Sequence, residues 1–161
     1  MSGKRSETES SQMKKAIVIA GALLLGSSAV LADQKLAVEQ DNFMRALGKS
    51  VYVTMLKMSK GELPYDQASV DAALIQLEQN VPKIPATFKD NPKEQVVDAK
   101  YGSSQKIWEN KADFDSKVPP VIDAVKGLKG KITDQASVKV AFETLHKSCT
   151  GCHEDYRLKL Q

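Results

Sequence analysis

The sequence predicts an all-α fold, an antiparallel four-helix bundle. Three observations carry that expectation. Apolar residues recur at helical spacing along most of the chain beyond residue 33, β signals are scarce, and four amphipathic segments are joined by short links on two sides. The chain has 161 residues, 42% hydrophobic and 27% charged. That is enough for one domain with one core once a leader is removed. There is no internal repeat and no low-complexity tract.

The first segment runs from about Gln34 to Lys60. Leu36, Phe43, Leu47, Val51, Met55 and Met58 recur at spacings of three, four and seven and mark one apolar face. Gly61-Glu62-Leu63-Pro64 ends it, with Gly61 as the C-terminal stop. Asp66 caps the second helix, which turns Val70, Ala73, Leu74 and Leu77 inward and is closed by Pro82 and Pro85. A long connection follows, roughly Val81 to Ser103, and loops of that length are uncommon in compact domains unless they have a task. The third helix starts near Ser103 and Ser104. It carries Ile107, Trp108, Phe114, Val118, Ile122 and Val125, with a kink or break expected at Pro119-Pro120. Gly127-Leu128-Lys129-Gly130 makes the next turn. Thr133 is expected to cap the last helix, along which Val138, Ala141, Phe142, Leu145, Cys149, Cys152 and Tyr156 recur.

Ahead of the bundle the chain reads as an export signal. Lys14 and Lys15 precede the apolar run Ala16 to Leu25, and small residues lead to Val30-Leu31-Ala32. The run is short of the roughly 20 residues of a membrane span. Cleavage is expected after Ala32, giving a signal over residues 1–32 and a mature domain over 33–161. The polar stretch Met1 to Gln12 is foreign to a signal, and Met13-Lys14-Lys15 is where an ordinary one begins, so Met13 is a candidate start. Taking the leader's four basic and two acidic residues from the chain's 23 and 20 leaves 19 and 18. No basic excess survives to suggest nucleic acid.

The chemistry is concentrated in Cys149-Thr150-Gly151-Cys152-His153, which contains both cysteines of the chain. C-x-x-C-H is the spacing of c-type haem attachment: each thiol adds to a vinyl group and the adjacent imidazole becomes an axial iron ligand. The competing readings are a redox C-x-x-C pair and half a zinc site. Zinc needs two further ligands and only His146 remains as a conventional one, while a thioredoxin-like pair needs a βαβ setting that the sequence lacks. Cofactors in bundles sit between facing helices, so one haem c per chain is expected against the end of the last helix. The long connection is then placed to cover part of it. Nothing in the sequence suggests an enzyme: there is no nucleophile constellation and no second histidine suited to distal acid–base work.

With these motifs in place, the mature chain resembles the class II c-type cytochromes, the cytochrome c′ family. The resemblance rests on the C-x-x-C-H close to the C-terminus and on Met44-Arg45-Ala46-Leu47-Gly48 in the first helix. Lys60-Gly61-Glu62-Leu63-Pro64-Tyr65-Asp66 at the first turn, Lys106-Ile107-Trp108, and Tyr156-Arg157 after the haem motif add to it. It implies a periplasmic mono-haem protein with redox partners in the periplasm or membrane. It also implies a homodimer through the first two helices where relatives pair. In the family the sixth iron position is decided in the first helix, within M-[KR]-A-L-G, and Met44 occupies that place. The resemblance is closest to the low-spin, methionine-ligated subgroup, which implies an electron carrier with His153 proximal and Met44 distal. The alternative is a five-coordinate iron that takes up nitric oxide or carbon monoxide at an open distal face.

Other residues are weighed beside these. Methionines on an apolar helical face also serve as core filler. Met55 is three α-helical turns beyond Met44 on that face, about 16 Å along the axis, so only one of the two reaches a given haem. Core roles are expected for Met55 and Met58. His146 lies two turns before His153, about 10 Å away, and is no candidate ligand. Arg157, Trp108 and Arg45 are candidate haem contacts, with Phe43 and Tyr156 as further packing candidates. Two departures from the family pattern are visible. The stretch from Met44 to Lys60 is one residue longer, and Gln40 stands where relatives carry an arginine that pairs with a haem propionate.

Overall fold

The computed structural model describes residues 30–161. Most of the expected leader, including the candidate start at Met13, lies outside the described residues; residues 30–32 are helical. The first helix, α1, covers residues 30–59 and contains a π-helical stretch at Ser50–Leu56 before its last turn at Lys57–Ser59. A π turn holds more residues than an α turn, which accords with the extra residue between Met44 and Lys60. Gly61 ends the helix at φ +74°, the left-handed conformation that favours glycine.

Helix α2 (Gln67–Asn80) begins at Asp66, whose carboxylate accepts from the Ser69 backbone N–H at 2.9 Å. Pro82 and Pro85 do not simply close it. They open a 3₁₀ turn at Val81–Lys83 and the short α3 (Ile84–Thr87), since proline suits the first positions of a helical turn. The expected third helix is three pieces: α4 (Lys106–Glu109), α5 (Lys111–Ser116) and α6 (Val118–Leu128). The break before Pro119-Pro120 falls where sequence places it. The one at Asn110, with φ −133° and ψ 56°, has no proline to signal it.

Helix α7 (Gln135–Tyr156) is capped by Asp134 rather than Thr133. Asp134 accepts from the Ser137 N–H at 2.7 Å while the Ser137 hydroxyl oxygen accepts from the Asp134 N–H at 3.0 Å, a reciprocal capping box. Thr133 contributes only its backbone N–H, to the same hydroxyl. The chain then leaves α7 as β2 (Arg157–Lys159), which pairs antiparallel with β1 (Tyr101–Ser103). This ribbon was not legible in the sequence. It ties the long connection to the end of α7.

Helices α1, α2, α6 and α7 form the bundle. Its main core runs through Leu47, Val51, Met55, Met58, Val70, Leu77, Val125, Val138 and Leu145. A second, smaller cluster of Phe88, Ile107, Phe114 and Tyr156 sits under the connection. Met44 packs against both, at the seam between them.

Candidate haem site

The spacing of the motif on α7 fixes its geometry first. Cys149, Cys152 and His153 stand at i, i+3 and i+4 of a continuous helix, so all three share one face. That face borders a cavity of about 1250 Å³, counting the part open to solvent. Its α1 wall is made by Ala37, Gln40, Met44, Leu47, Gly48 and Val51. Ile84 and Phe88 close it below the connection, Val118 and Val121 contribute from α6, and Glu94, Gln95 and the ribbon residues Tyr101–Ser103 form the outer wall. The long connection therefore does lie over this space.

Helix pairing sets the level of each group. The Tyr52 ring on α1 lies 5.8 Å from His146 on α7, edge to face. The helices run antiparallel. Met44 is eight residues before Tyr52 and His153 seven after His146, about 12 Å and about 10 Å along their axes. Met44 and His153 thus stand at nearly the same height on two walls of one cavity. Among the described methionines Met44 alone lines it. Met55 has no exposed surface and Met58 is buried in the main core, as expected for both.

Burial tunes the motif. It pushes the Cys149 thiol up and the Cys152 thiol up to about 11, and it brings the His153 imidazole down to about 4, with the Arg157 charge adding to the effect. The imidazole is therefore neutral at physiological pH, the state in which a ring nitrogen can ligate a metal.

The remaining candidates divide. Arg157 lines the cavity, its N–H bonded to the His153 carbonyl and its guanidinium 4.3 Å from the Tyr101 ring centre. Tyr156 lines it as well and donates its hydroxyl to Asp113 at 2.5 Å. Trp108 does not line it. Its indole packs on the second cluster and donates to the Phe88 carbonyl at 3.0 Å, bracing the wall from behind. Arg45 departs from expectation: it is exposed on α1, paired with Asp41 at 2.6 Å, and outside the cavity wall. Phe43 is packed on the main core instead of the cavity. His146 belongs to an aromatic cluster with Tyr52 and Phe142.

One wall feature escaped sequence reasoning, and a second was noted only as a departure from the family pattern. Tyr101 belongs to a short strand with no periodic signal. Gln40 is 1% exposed, and its amide nitrogen donates to the Thr87 and Asp90 carbonyls at 3.2 and 3.0 Å. Its Oε1 is the one buried side-chain oxygen or nitrogen without a partner among the described residues. A polar residue at helical spacing from Leu36, Phe43 and Leu47 was the signal available.

These residues fit a haem. Two thiols and a neutral imidazole share one helical face, the facing α1 and α6 walls are mostly apolar, and an orphaned amide oxygen borders the same space. Residues 36–157 match the family described as Cytochrome C′. The chain belongs to that family. Cytochrome c-555 of Bradyrhizobium diazoefficiens is 54% identical over 149 residues, covering 92% of this chain and all of the relative. Cytochrome c-556 of Rhodopseudomonas palustris is 41% identical over 148 residues, 91% of this chain and 99% of the relative. Among solved structures, oxidised R. palustris cytochrome c556 superposes with a TM-score of 0.67 at 38% identity, covering 80% of this chain and 99% of its own. R. palustris cytochrome c′ gives 0.67 at 29% identity, covering 78% and 98%. As a member of the cytochrome c′ family this is a haem c protein of electron transport, built as a four-helix bundle.

Proposed function

We propose that this protein is a periplasmic one-electron carrier with one haem, attached through Cys149 and Cys152 and ligated by His153 and Met44. The observation that carries this reading is the equal height of Met44 and His153 on facing walls, with no other described methionine lining the cavity. The haem supplies a one-electron ferric/ferrous couple, and a thioether ligand shifts that couple towards the ferrous side relative to a second imidazole. The protein's own part is to hold the imidazole neutral, to present the thioether from a rigid helix, and to keep water from the apolar walls. Arg157 stacks on Tyr101 at the ribbon and holds a positive charge near His153.

The leader over residues 1–32 supports export, and no described helix is long and apolar enough to cross a membrane. Its partners in this reading are periplasmic or membrane-bound redox proteins, and no bond is made or broken in a substrate. Tyr52, Val53 and Ile75 are exposed apolar residues on α1 and α2, the helices through which a homodimer would form.

The test is the optical spectrum of the mature holoprotein, oxidised and reduced, with and without carbon monoxide. A low-spin reduced spectrum that carbon monoxide leaves unmoved, and that is lost in Met44→Ala, establishes the His153/Met44 pair. A high-spin spectrum that shifts at once with carbon monoxide removes Met44 from the iron and makes the protein a five-coordinate gas binder.

A further inference from the structure

A glycine inside a helix needs a reason, because it is less stable there than alanine. Gly61 and Gly130 have theirs in a left-handed backbone at φ +74° and +70°. Gly102 has its own in close neighbours, since a Cβ there would meet the Gln95 amide oxygen at 2.0 Å and Leu160 at 3.0 Å. Gly48 has neither. It lies in the interior of α1, outside the left-handed set, and a Cβ on it would meet no protein atom within 4 Å. Gly127, exposed in the last turn of α6, is equally unconstrained by its neighbours. The two differ in what they face: Gly48 lines the cavity and Gly127 does not.

Residues four apart on a helix stand one above the other on the same face. Gly48 is four residues after Met44 and seven after Asp41, and both of those line the cavity as well. A side chain at position 48 would therefore enter the cavity. It would also lean towards the N-terminal turn, which here is the turn that carries Met44.

The thioether on that turn is short. Only Cβ and Cγ stand between the Met44 Cα and its sulfur, so a sulfur on the iron draws the α1 backbone close to the macrocycle. Gly48 is one turn further on, about 6 Å along the axis, which is still over the ring. By the antiparallel pairing of Tyr52 with His146, Cys149 lies near the level of Lys49. The part of the ring that Gly48 faces is thus the edge tethered through Cys149. A side chain at position 48 would stand between that edge and the helix.

We infer that Gly48 is a positioning residue for Met44: it keeps the surface of α1 bare over the Cys149 edge of the haem, so that the helix comes near enough for the thioether to reach the iron. The inference rests on the proposed His153/Met44 pair and adds the residue that brings its distal member within reach. A side chain placed at position 48 leaves the thioether tethers and His153 as they are. It loosens the sixth bond alone and opens the iron to small ligands.

The experiment examines the iron in the native holoprotein and in holoproteins carrying Gly48→Ala, Gly48→Leu or, as a control, Gly127→Leu. Alanine and leucine are both better helix formers than glycine, so loss of helix does not account for an effect. An added ligand binds in proportion to the fraction of iron that Met44 has left. Gly48→Leu is expected to raise the apparent affinity of the ferrous iron for carbon monoxide by about ten-fold or more. It should also weaken the far-red absorption band of a methionine sulfur bound to ferric iron. Gly48→Ala should do the same to a smaller degree, and Gly127→Leu should do neither. In a Met44→Ala background, Gly48→Leu should bring no further rise. A native protein that takes up carbon monoxide at once removes Met44 from the iron and this inference with it. A native protein inert to carbon monoxide, with a Gly48→Leu variant equally inert, overturns the inference alone. So does an equal effect from Gly127→Leu, or a rise that persists without Met44.

Discussion

Truncation of Met55 separates the two kinds of methionine on α1. Met55 has no exposed surface and is packed in the main core with Val51, Met58 and Leu77. Met55→Ala removes three side-chain heavy atoms, about 2 kcal/mol of transfer free energy at ~0.8 kcal/mol per methylene. The void adds to this, and buried Met→Ala changes span about 2–5 kcal/mol. Complete burial places this one near 3.5 kcal/mol, because no solvent fills the gap. With an unfolding entropy of ~2.1 cal/mol/K per residue over about 130 residues, the midpoint falls by about 13 °C. Thermal unfolding of the holoprotein followed by far-ultraviolet circular dichroism measures the shift, and the visible spectrum at room temperature reports the iron. The expected pattern is a large loss of stability with an unchanged spectrum. An altered spectrum with an intact midpoint would place Met55 at the haem and refute the separation of Met44 from Met55.

Three further substitutions probe the walls and caps. Gly102→Ala puts a Cβ 2.0 Å from the Gln95 amide oxygen. It should break the paired bonds between Gln95 and Ser103, costing about 1–3 kcal/mol for two hydrogen bonds, read as a lower denaturation midpoint and faster amide exchange in the ribbon. Trp108→Phe leaves the Phe88 carbonyl without its 3.0 Å donor and should cost about 1 kcal/mol while the reduced spectrum stays as it was; a change of spin state would show instead that Trp108 contacts the haem. The Asp134 carboxyl is held below its usual range by hydrogen bonds from the Ser137 backbone and side chain. A lowered folded value stabilises above the unfolded value of about 3.9 and loses that contribution as pH falls through the folded one. Asp134→Ala should therefore lower the melting temperature most near neutral pH and progressively less below pH 4, and an equal deficit at all pH values would contradict the capping account.

The bundle was legible because its signals are local and periodic. The apolar faces of residues 34–60, 66–80 and 133–156, the Asp66 cap and the Gly61 stop all depend on neighbours within a turn or two. The candidate attachment motif was legible for the same reason, since C-x-x-C-H is five consecutive residues. What remained hidden is non-local. Asp134 wins the cap from Thr133 because Ser137 completes a reciprocal pair. The β ribbon needs two segments more than 50 residues apart, neither with a strand pattern. Lys93 and Asp98 adopt left-handed backbone at φ 63° and 57°, conformations that no residue type in the connection announces. Arg45 was offered as a substitute for the arginine that relatives carry at the Gln40 position, yet it is exposed and pairs with Asp41.

The two ends of the bundle differ in what holds them, and loss of the haem should reveal it. The end containing the turn at Gly61 and the cap at Asp134 is filled by side chains, with Met58, Val70, Ile132 and Val138 all buried. The other end is divided by the breaks at Asn110 and Lys117, and its small cluster faces the cavity through Phe88, Ile107, Phe114 and Tyr156. A chain with Cys149→Ala and Cys152→Ala, produced without haem, leaves that volume to water. Free energies of local opening follow buried apolar contact, so amide exchange should stay slow along α2 and the early turns of α7 while α4, α5 and the ribbon exchange freely. The Ser104 and Leu160 N–H groups, bonded to Tyr156 and Lys100 at 3.0 Å, are the reporters at the ribbon. Equal protection at both ends would mean that the side chains alone close the cavity. Uniformly fast exchange would mean that the main core cannot stand without the haem either.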